Sequence, residues 1–298
     1  MTRIRVPATM ANIGPGFDCM GMALSLYNYI EVEEIKSGLL VENLGRDAVM
    51  LPVDETHLVV STMKTYFQRV EWHPSGLQVR VTSEIPVSRG LGSSAACIVG
   101  GLVAANTLAG DVMNQQELLN LAVEIEGHPD NVTPAFFGGV VVSSKDEWGT
   151  DHIRFPVPAD LECLTAIPDV TLGTREARGI LPKQILFSDA VYNVGKAALL
   201  VAALMQRNYE VVERSLGDRL HQQYRSKLLP SLELIYREAQ KRKLNTLIIS
   251  GAGPTLVYLL LPNSRLRQQE FLDLLQQTPE NWEVLTLTGD NQGAVILS

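Results

Sequence analysis

Pro86-Val87-Ser88-Arg89-Gly90-Leu91-Gly92-Ser93-Ser94-Ala95-Ala96 is a glycine-rich turn that opens an apolar helix. The first turn of a helix leaves its N–H groups unpaired and carries partial positive charge, so an anion is favoured there. Glycines in such a turn let a polyphosphate approach the backbone, and Ser93 and Ser94 add hydroxyls at the same place. The plainer alternative is a capped, buried helix whose glycines serve tight packing. A P-loop is excluded, because it needs a lysine before its Ser or Thr and this stretch has none. A Rossmann turn would match Gly90, Gly92 and Ala95 and use Asp111. Yet Pro86, Ser88 and Arg89 separate Gly90 from the preceding strand, and Asp111 falls in a polar link between helices.

Outward from this turn, helical periodicity covers residues 93–108, then 114–126, and upstream 57–68. Residues 90–110 carry no charge and are long enough to span a bilayer, but Ser93, Ser94, Asn106 and Thr107 among small residues fit a buried helix. Strand patterns occur at 4–7, 29–35, 77–82 and 136–143. The second half repeats the mixture, with strands at 161–167, 247–250 and 294–297 and helices at 189–206 and 231–242. Charges with Gly149, Pro156 and Pro158 mark a boundary, which divides the chain into 1–155 and 156–298. A chain of 298 residues is of the size at which one core tends to split in two.

A formal charge of −8 weighs against nucleic acid and anionic membrane as partners. Cys19, Cys97 and Cys163 are odd in number and scattered, which supports neither a disulfide framework nor a CxxC site and fits a reducing compartment. The first residues read as a strand and lack a secretory apolar stretch. A cytoplasmic location is expected.

The loop at 86–96 resembles the phosphate loop of the superfamily of galactokinases, homoserine kinases, mevalonate kinases and phosphomevalonate kinases. Within it, Pro7-Ala-Thr-Met-Ala-Asn12-Ile-Gly-Pro-Gly16-Phe-Asp18 is similar to the N-terminal signature of the homoserine kinase branch. Three later segments resemble the same branch in the same order: Gly127-His-Pro-Asp-Asn131, Thr174-Arg-Glu-Ala-Arg178 and Ser250-Gly-Ala-Gly-Pro-Thr255. The resemblance implies a two-domain α+β fold, with a left-handed strand-helix-strand crossover in the N-terminal domain and a ferredoxin-like sandwich in the C-terminal one. It further implies that 1–155 binds ATP, that 156–298 lies on the substrate side, and that the site lies between them. The implied reaction is Mg²⁺-ATP-dependent phosphorylation of L-homoserine on the route to threonine, by a homodimer.

The resemblance also assigns roles. The loop from Pro86 to Ala96 wraps the ATP phosphates, and Ser94 and Glu124 hold Mg²⁺, a hard cation that wants oxygen ligands. Glu126 is the rival, because the alignment is uncertain by two residues. Residues two apart on a helix point about 200° apart, so only one of them faces inward. Asn12 and Asp18 face the amino and hydroxyl ends of the substrate; Asp18 and Asp130 both stand in motifs as candidates for a base, Asp18 serving orientation first and Asp130 equally able to cap local structure, and a loose transition state lets the reaction proceed without one. Arg178 and Arg225 clamp the carboxylate, His128 and Thr174 line the pocket, and Gly251 approaches the ligand with its backbone. Arg225, in the run Tyr224-Arg-Ser-Lys, otherwise reads as an exposed residue, and Gly251 as part of a hairpin turn. His57 stands where relatives often carry Asn in the adenine region, and Cys97 where they often carry Ser. A kinase for another alcohol such as mevalonate, or a ligand sensor on the same scaffold, is the competing reading.

Overall fold

Positions along Gly76–Ser83 alternate between buried and partly open, the period of a strand with one face on a core. A computed structural model, which describes residues 1–297, gives eleven strands and eleven α-helices among them. The strands are β1 (Thr2–Ala11), β2 (Met20–Glu34), β3 (Gly38–Gly45), β4 (Gly76–Ser83), β5 (Val140–Asp146), β6 (Gly149–Phe155), β7 (Glu162–Pro168), β8 (Leu247–Ile249), β9 (Leu256–Leu260), β10 (Trp282–Thr288) and β11 (Val295–Leu297). The helices are α1 (Leu58–Arg69), α2 (Ser93–Leu108), α3 (Gln115–Glu126), α4 (Pro129–Phe137), α5 (Thr174–Gly179), α6 (Phe187–Met205), α7 (Tyr209–Ser215), α8 (Gln222–Arg225), α9 (Pro230–Arg242), α10 (Pro262–Arg265) and α11 (Gln268–Leu275).

The first sheet runs β11-β1-β2-β4-β3, with β5 on β2 and β6 on β5. β3 and β4 are parallel and joined through α1, and the other pairings are antiparallel. The second sheet is antiparallel throughout, in the order β10-β7-β9-β8. Counted along the chain this is fourth, first, third, second, the ferredoxin-like arrangement, with helices between its first and second and between its third and fourth strands. The fold is thus α+β, as the motifs imply. β11 returns to pair with β1, Arg5 opposite Val295, so the end of the chain belongs to the first sheet. The strand expected at 136–143 is shorter, because Phe136 and Phe137 close α4 and β5 begins only at Val140.

α2 is apolar all round and is packed inside the protein, with Ala95, Ile98, Val99, Leu102 and Ala105 buried. Its one buried amide is satisfied: Asn106 accepts from the Tyr66 hydroxyl at 2.6 Å and from the Met113 N–H at 2.9 Å, and donates to the Met113 carbonyl at 3.1 Å. This ties the end of α2 to α1 and to the start of α3. A capping box of Asn114 and Glu117 then begins α3, whose last residue, Glu126, is delivered to the mouth of α2. A second cluster packs α9 and α11 on the second sheet through Leu232, Ile235, Phe271 and Leu274.

α6 is the one helix among the described residues long and apolar enough, by length and composition, to cross a membrane. Leu200, Ala203 and Leu204 on it are buried, and Asn193 donates to the Pro15 carbonyl at 3.0 Å. Its opposite face leaves Phe187, Val191, Val194 and Met205 exposed.

Candidate active site

The loop from Pro86 to Ala96 is built by backbone that few residues tolerate. Ser88, Gly90 and Gly92 all have positive φ. A Cβ at Gly90 would stand 2.4 Å from the Ser250 carbonyl oxygen, and one at Gly92 would overlap the Thr9 hydroxyl at 1.9 Å. Gly92 is the N-cap of α2 and no side chain caps the helix, so the first-turn N–H groups are left for a ligand. Arg89 braces the loop: it donates to Asp47 at 2.9 Å and to the Pro168 carbonyl at 3.0 Å, and the Val87 N–H donates to the same Asp47 oxygen. Val87 to Gly90 and Gly92 to Ser94 line the cavity, whereas Pro86, Leu91, Ala95 and Ala96 are buried because they anchor the turn and first helical turn in the core.

The Ser94 hydroxyl donates to Glu126 Oε2 at 2.6 Å, and Glu126 lines the cavity. Burial pushes the Glu126 carboxyl above its ordinary range, against the opposing effect of the Ser94 hydrogen bond. Glu124, expected here, is elsewhere: it is exposed and held by Arg69 at 3.1 Å on the outer side of α3. The angular offset of two helical positions accounts for the difference. Three or more His, Cys, Asp or Glu side chains grouped for a metal are not found among the described residues. A carboxylate and a hydroxyl beside a phosphate loop nevertheless fit Mg²⁺, which takes few protein ligands and several from phosphates and water.

The remaining expected residues converge on the same cavity of about 260 Å³. Asp18 and Arg178 form a bidentate pair at 2.7 and 2.9 Å, so Arg178 is not a free clamp but is already engaged by Asp18. The Asp18 hydrogen bonds push the Arg178 guanidinium up from its ordinary value. The Asn12 carbonyl oxygen of the side chain accepts from the Asp18 N–H at 3.1 Å, and its amide donates to the Gly251 carbonyl at 3.0 Å. His128 Nδ1 lies 2.7 Å from the buried Asp130 carboxylate. Burial lowers the His128 pKa, but the bond and charge of Asp130 outweigh it and leave the ring above its ordinary value. Thr174 is exposed at the cavity rim, at the start of α5. Gly251 lies in the turn from β8 to β9 and also faces the cavity, so the hairpin and ligand readings both describe it.

Arg225 overturns the surface reading of its charged run, being 2% exposed. It donates to the Gly251 carbonyl at 2.7 Å and pairs with no carboxylate within 4 Å among the described residues. Burial first, then the nearby Arg178, lower its pKa to about 10.

Residues 57–139 match the family model for the GHMP kinases N terminal domain. A homoserine kinase of Caldicellulosiruptor bescii is 44% identical over 100% of this chain and 97% of its own, and one of Clostridium botulinum is 42% identical over 99% and 98%. The chain belongs to the homoserine kinase family. A crystal structure of homoserine kinase from Cytophaga hutchinsonii superposes with a TM-score of 0.86 at 30% identity, over 99% of this chain and 97% of that one. Among the cavity residues of this homoserine kinase family member to which the sequence assigns no role are Asn131 and His57. Asn131 accepts from the Thr9 hydroxyl at 2.7 Å, and its place in the Gly127-to-Asn131 motif was the available signal. His57 is buried and lines the cavity, its Nδ1 capping α1 and its Nε2 without a partner among the described residues. Only the departure from Asn drew attention to it.

Proposed function

We propose that the protein transfers the γ-phosphoryl group of ATP to the side-chain hydroxyl of L-homoserine, giving O-phospho-L-homoserine for threonine synthesis. The observation that carries this is Arg225, a buried guanidinium without an ion-pair partner among the described residues, in the same cavity as the phosphate loop. An uncompensated buried charge is costly, and a substrate carboxylate would offset it. The acids Asp18, Glu126 and Asp130 line the same cavity, which suits an ammonium on that substrate.

ATP lies with its phosphates on the N–H groups of 90–94 and its base toward Leu51, Pro52 and His57, whose unpaired Nε2–H is a donor to the purine. Ser94 and Glu126 would hold Mg²⁺, which when bound would neutralise charge on the phosphates. Asp18 and Asn12 orient the substrate hydroxyl in line with the γ-phosphorus. Phosphoryl transfer is loose, so this positioning counts for more than early removal of the proton; Asp18 receives that proton as transfer completes. Residues 1–155 supply the ATP side, and Thr174, Arg178, Arg225 and Gly251 of 156–298 close the substrate side.

A cytoplasmic homodimer is the working state. The exposed apolar face of α6, with Phe187, Val191 and Val194, is a surface that a second copy would cover. Sedimentation of Val194→Asp beside the parent checks this, a dimer in both excluding α6 as the interface. The reaction is checked by ADP release with Mg²⁺-ATP and, separately, L-homoserine, L-serine, L-threonine, mevalonate and galactose. Preference for homoserine is expected. Preference for mevalonate would remove the ammonium site, and preference for galactose would remove the role of Arg225.

A further inference from the structure

Behind Arg225 lies a histidine that the reaction does not touch. His221 is fully buried and is the N-cap of α8, the one-turn helix that Arg225 ends four residues later. Its Nε2 is 2.8 Å from the Gly14 carbonyl and its Nδ1 is 3.3 Å from Arg225 Nη1. A carbonyl only accepts and a guanidinium only donates. The ring is therefore fixed in one tautomer, with the proton on Nε2 and a lone pair on Nδ1.

Both contacts hold something the substrate pocket needs. Arg225 is oriented by three acceptors: His221 Nδ1, the Gly251 carbonyl at 2.7 Å and the Ala177 carbonyl at 3.4 Å. Gly14 ends a run of positive φ, Asn12 at 71° and Ile13 at 43°. A β-branched residue there is strained and stays only where its surroundings hold it. That run carries Asn12 into the cavity. His221 itself is held by stacking on Phe17 at 5.2 Å, and its backbone N–H donates to Asp218 at 3.0 Å. Asp218 also accepts from the N–H groups of Leu220 and Gln222 and from the amide of Asn193 on α6.

We propose that His221 is a positioning residue for the amino-acid substrate, its neutral imidazole setting Arg225 and the Asn12-to-Gly14 backbone in the geometry that receives the carboxylate. The inference rests on the reading of Arg225 as the carboxylate-binding group. The groups facing the ring are Arg225 on one side, Asp218 with Oδ2 3.7 Å from Nε2, and Asp18 at longer range. Burial, the largest influence, lowers its pKa, and Arg225 acts the same way against Asp218. A proton on Nδ1 would remove the acceptor and set two cations together.

The test is steady-state kinetics on His221→Gln and His221→Asn with Arg225→Lys as reference. Gln keeps a donor for Gly14 and loses the acceptor for Arg225; Asn does the reverse. His221→Gln is expected to raise the homoserine KM about tenfold or more while kcat and the ATP KM stay within about twofold. His221→Asn should recover part of the loss, and His221→Gln should add little to Arg225→Lys. A folded His221→Gln with unchanged homoserine KM, or equal losses in kcat and both KM values, overturns the proposal. An Arg225→Lys protein with unchanged homoserine KM overturns instead the assignment beneath it. Should the variants not fold, ¹⁵N spectra of the parent decide: a single neutral Nε2–H tautomer is expected at pH 6.5, the ordinary imidazole midpoint, and an Nδ1–H tautomer or an imidazolium there overturns it.

Discussion

Glu124 and Glu126 share the last turn of α3, yet one is an exposed partner of Arg69 and the other a half-buried acceptor from Ser94. The motif Gly127-to-Asn131 follows at once, so the helix ends with Glu126 turned toward the phosphate loop. Sequence spacing establishes that only one of the two faces inward; it does not fix the helix's rotation, which is set by packing of Leu118, Leu119 and Ala122 in the core. On the proposed assignment Glu126→Gln takes an oxygen ligand from Mg²⁺ and so lowers transition-state stabilisation, whereas an exposed ion pair contributes little. Glu126→Gln is therefore expected to lower kcat by about 100-fold or more. Glu124→Gln should stay within about twofold of the parent. Turnover at saturating ATP and homoserine checks both, and the reverse ranking would return the role to Glu124. Arg225 shows the same limit on sequence reading: its charged neighbours look like a solvated face, and only the fold reveals that its side chain turns inward.

At the scale of elements, the loop before α2 was the most legible part of the chain, because its glycines answer to local geometry. Gly90 has φ 79° and lies against the turn at 250–253. Alanine there meets two obstacles, a left-handed backbone costing about 1–3 kcal/mol and the Ser250 carbonyl in its way. Gly90→Ala is expected to raise the ATP KM about tenfold or more with a smaller effect on the homoserine KM, and to lower Tm by a few degrees. Matching KM changes for both substrates would mean that the loop's shape is not specific to phosphate. Other elements were less legible for stated reasons. α4 carries Pro134 inside it and Pro129 at its start, which breaks helical patterning, yet it presents Asp130 and Asn131 to the cavity. β3 has open positions along its length, and β8 is three residues long, so neither gives a pattern strong enough to read.

For the whole molecule, the motifs implied the α+β class and the ferredoxin-like order, whereas the pairing of β11 with β1 across nearly the full chain has no local signature. Global stability should carry a further trace of the site, through His57. This ring caps α1 by accepting the Val59 N–H at Nδ1, and burial lowers its pKa from 6.5. Protonation in the folded state would put a charge in the core and occupy the capping lone pair, so the unfolded chain takes up the proton more readily. Stability from this residue is then fully present above about pH 6.5 and is lost as pH falls through the lower folded pKa. Asn is a good N-cap and does not titrate, so His57→Asn should match the parent within about 1 kcal/mol at neutral pH. Below about pH 6.5 the parent should lose stability relative to the variant. The raised His128 and the lowered His221 are common to both proteins and cancel in the difference. Urea unfolding of the pair on either side of that pH tests the point: parallel pH dependences would mean that His57 titrates in the fold as it does in the unfolded chain, as a solvated ring would, and its Nε2 would no longer be an unpaired donor held ready for the purine.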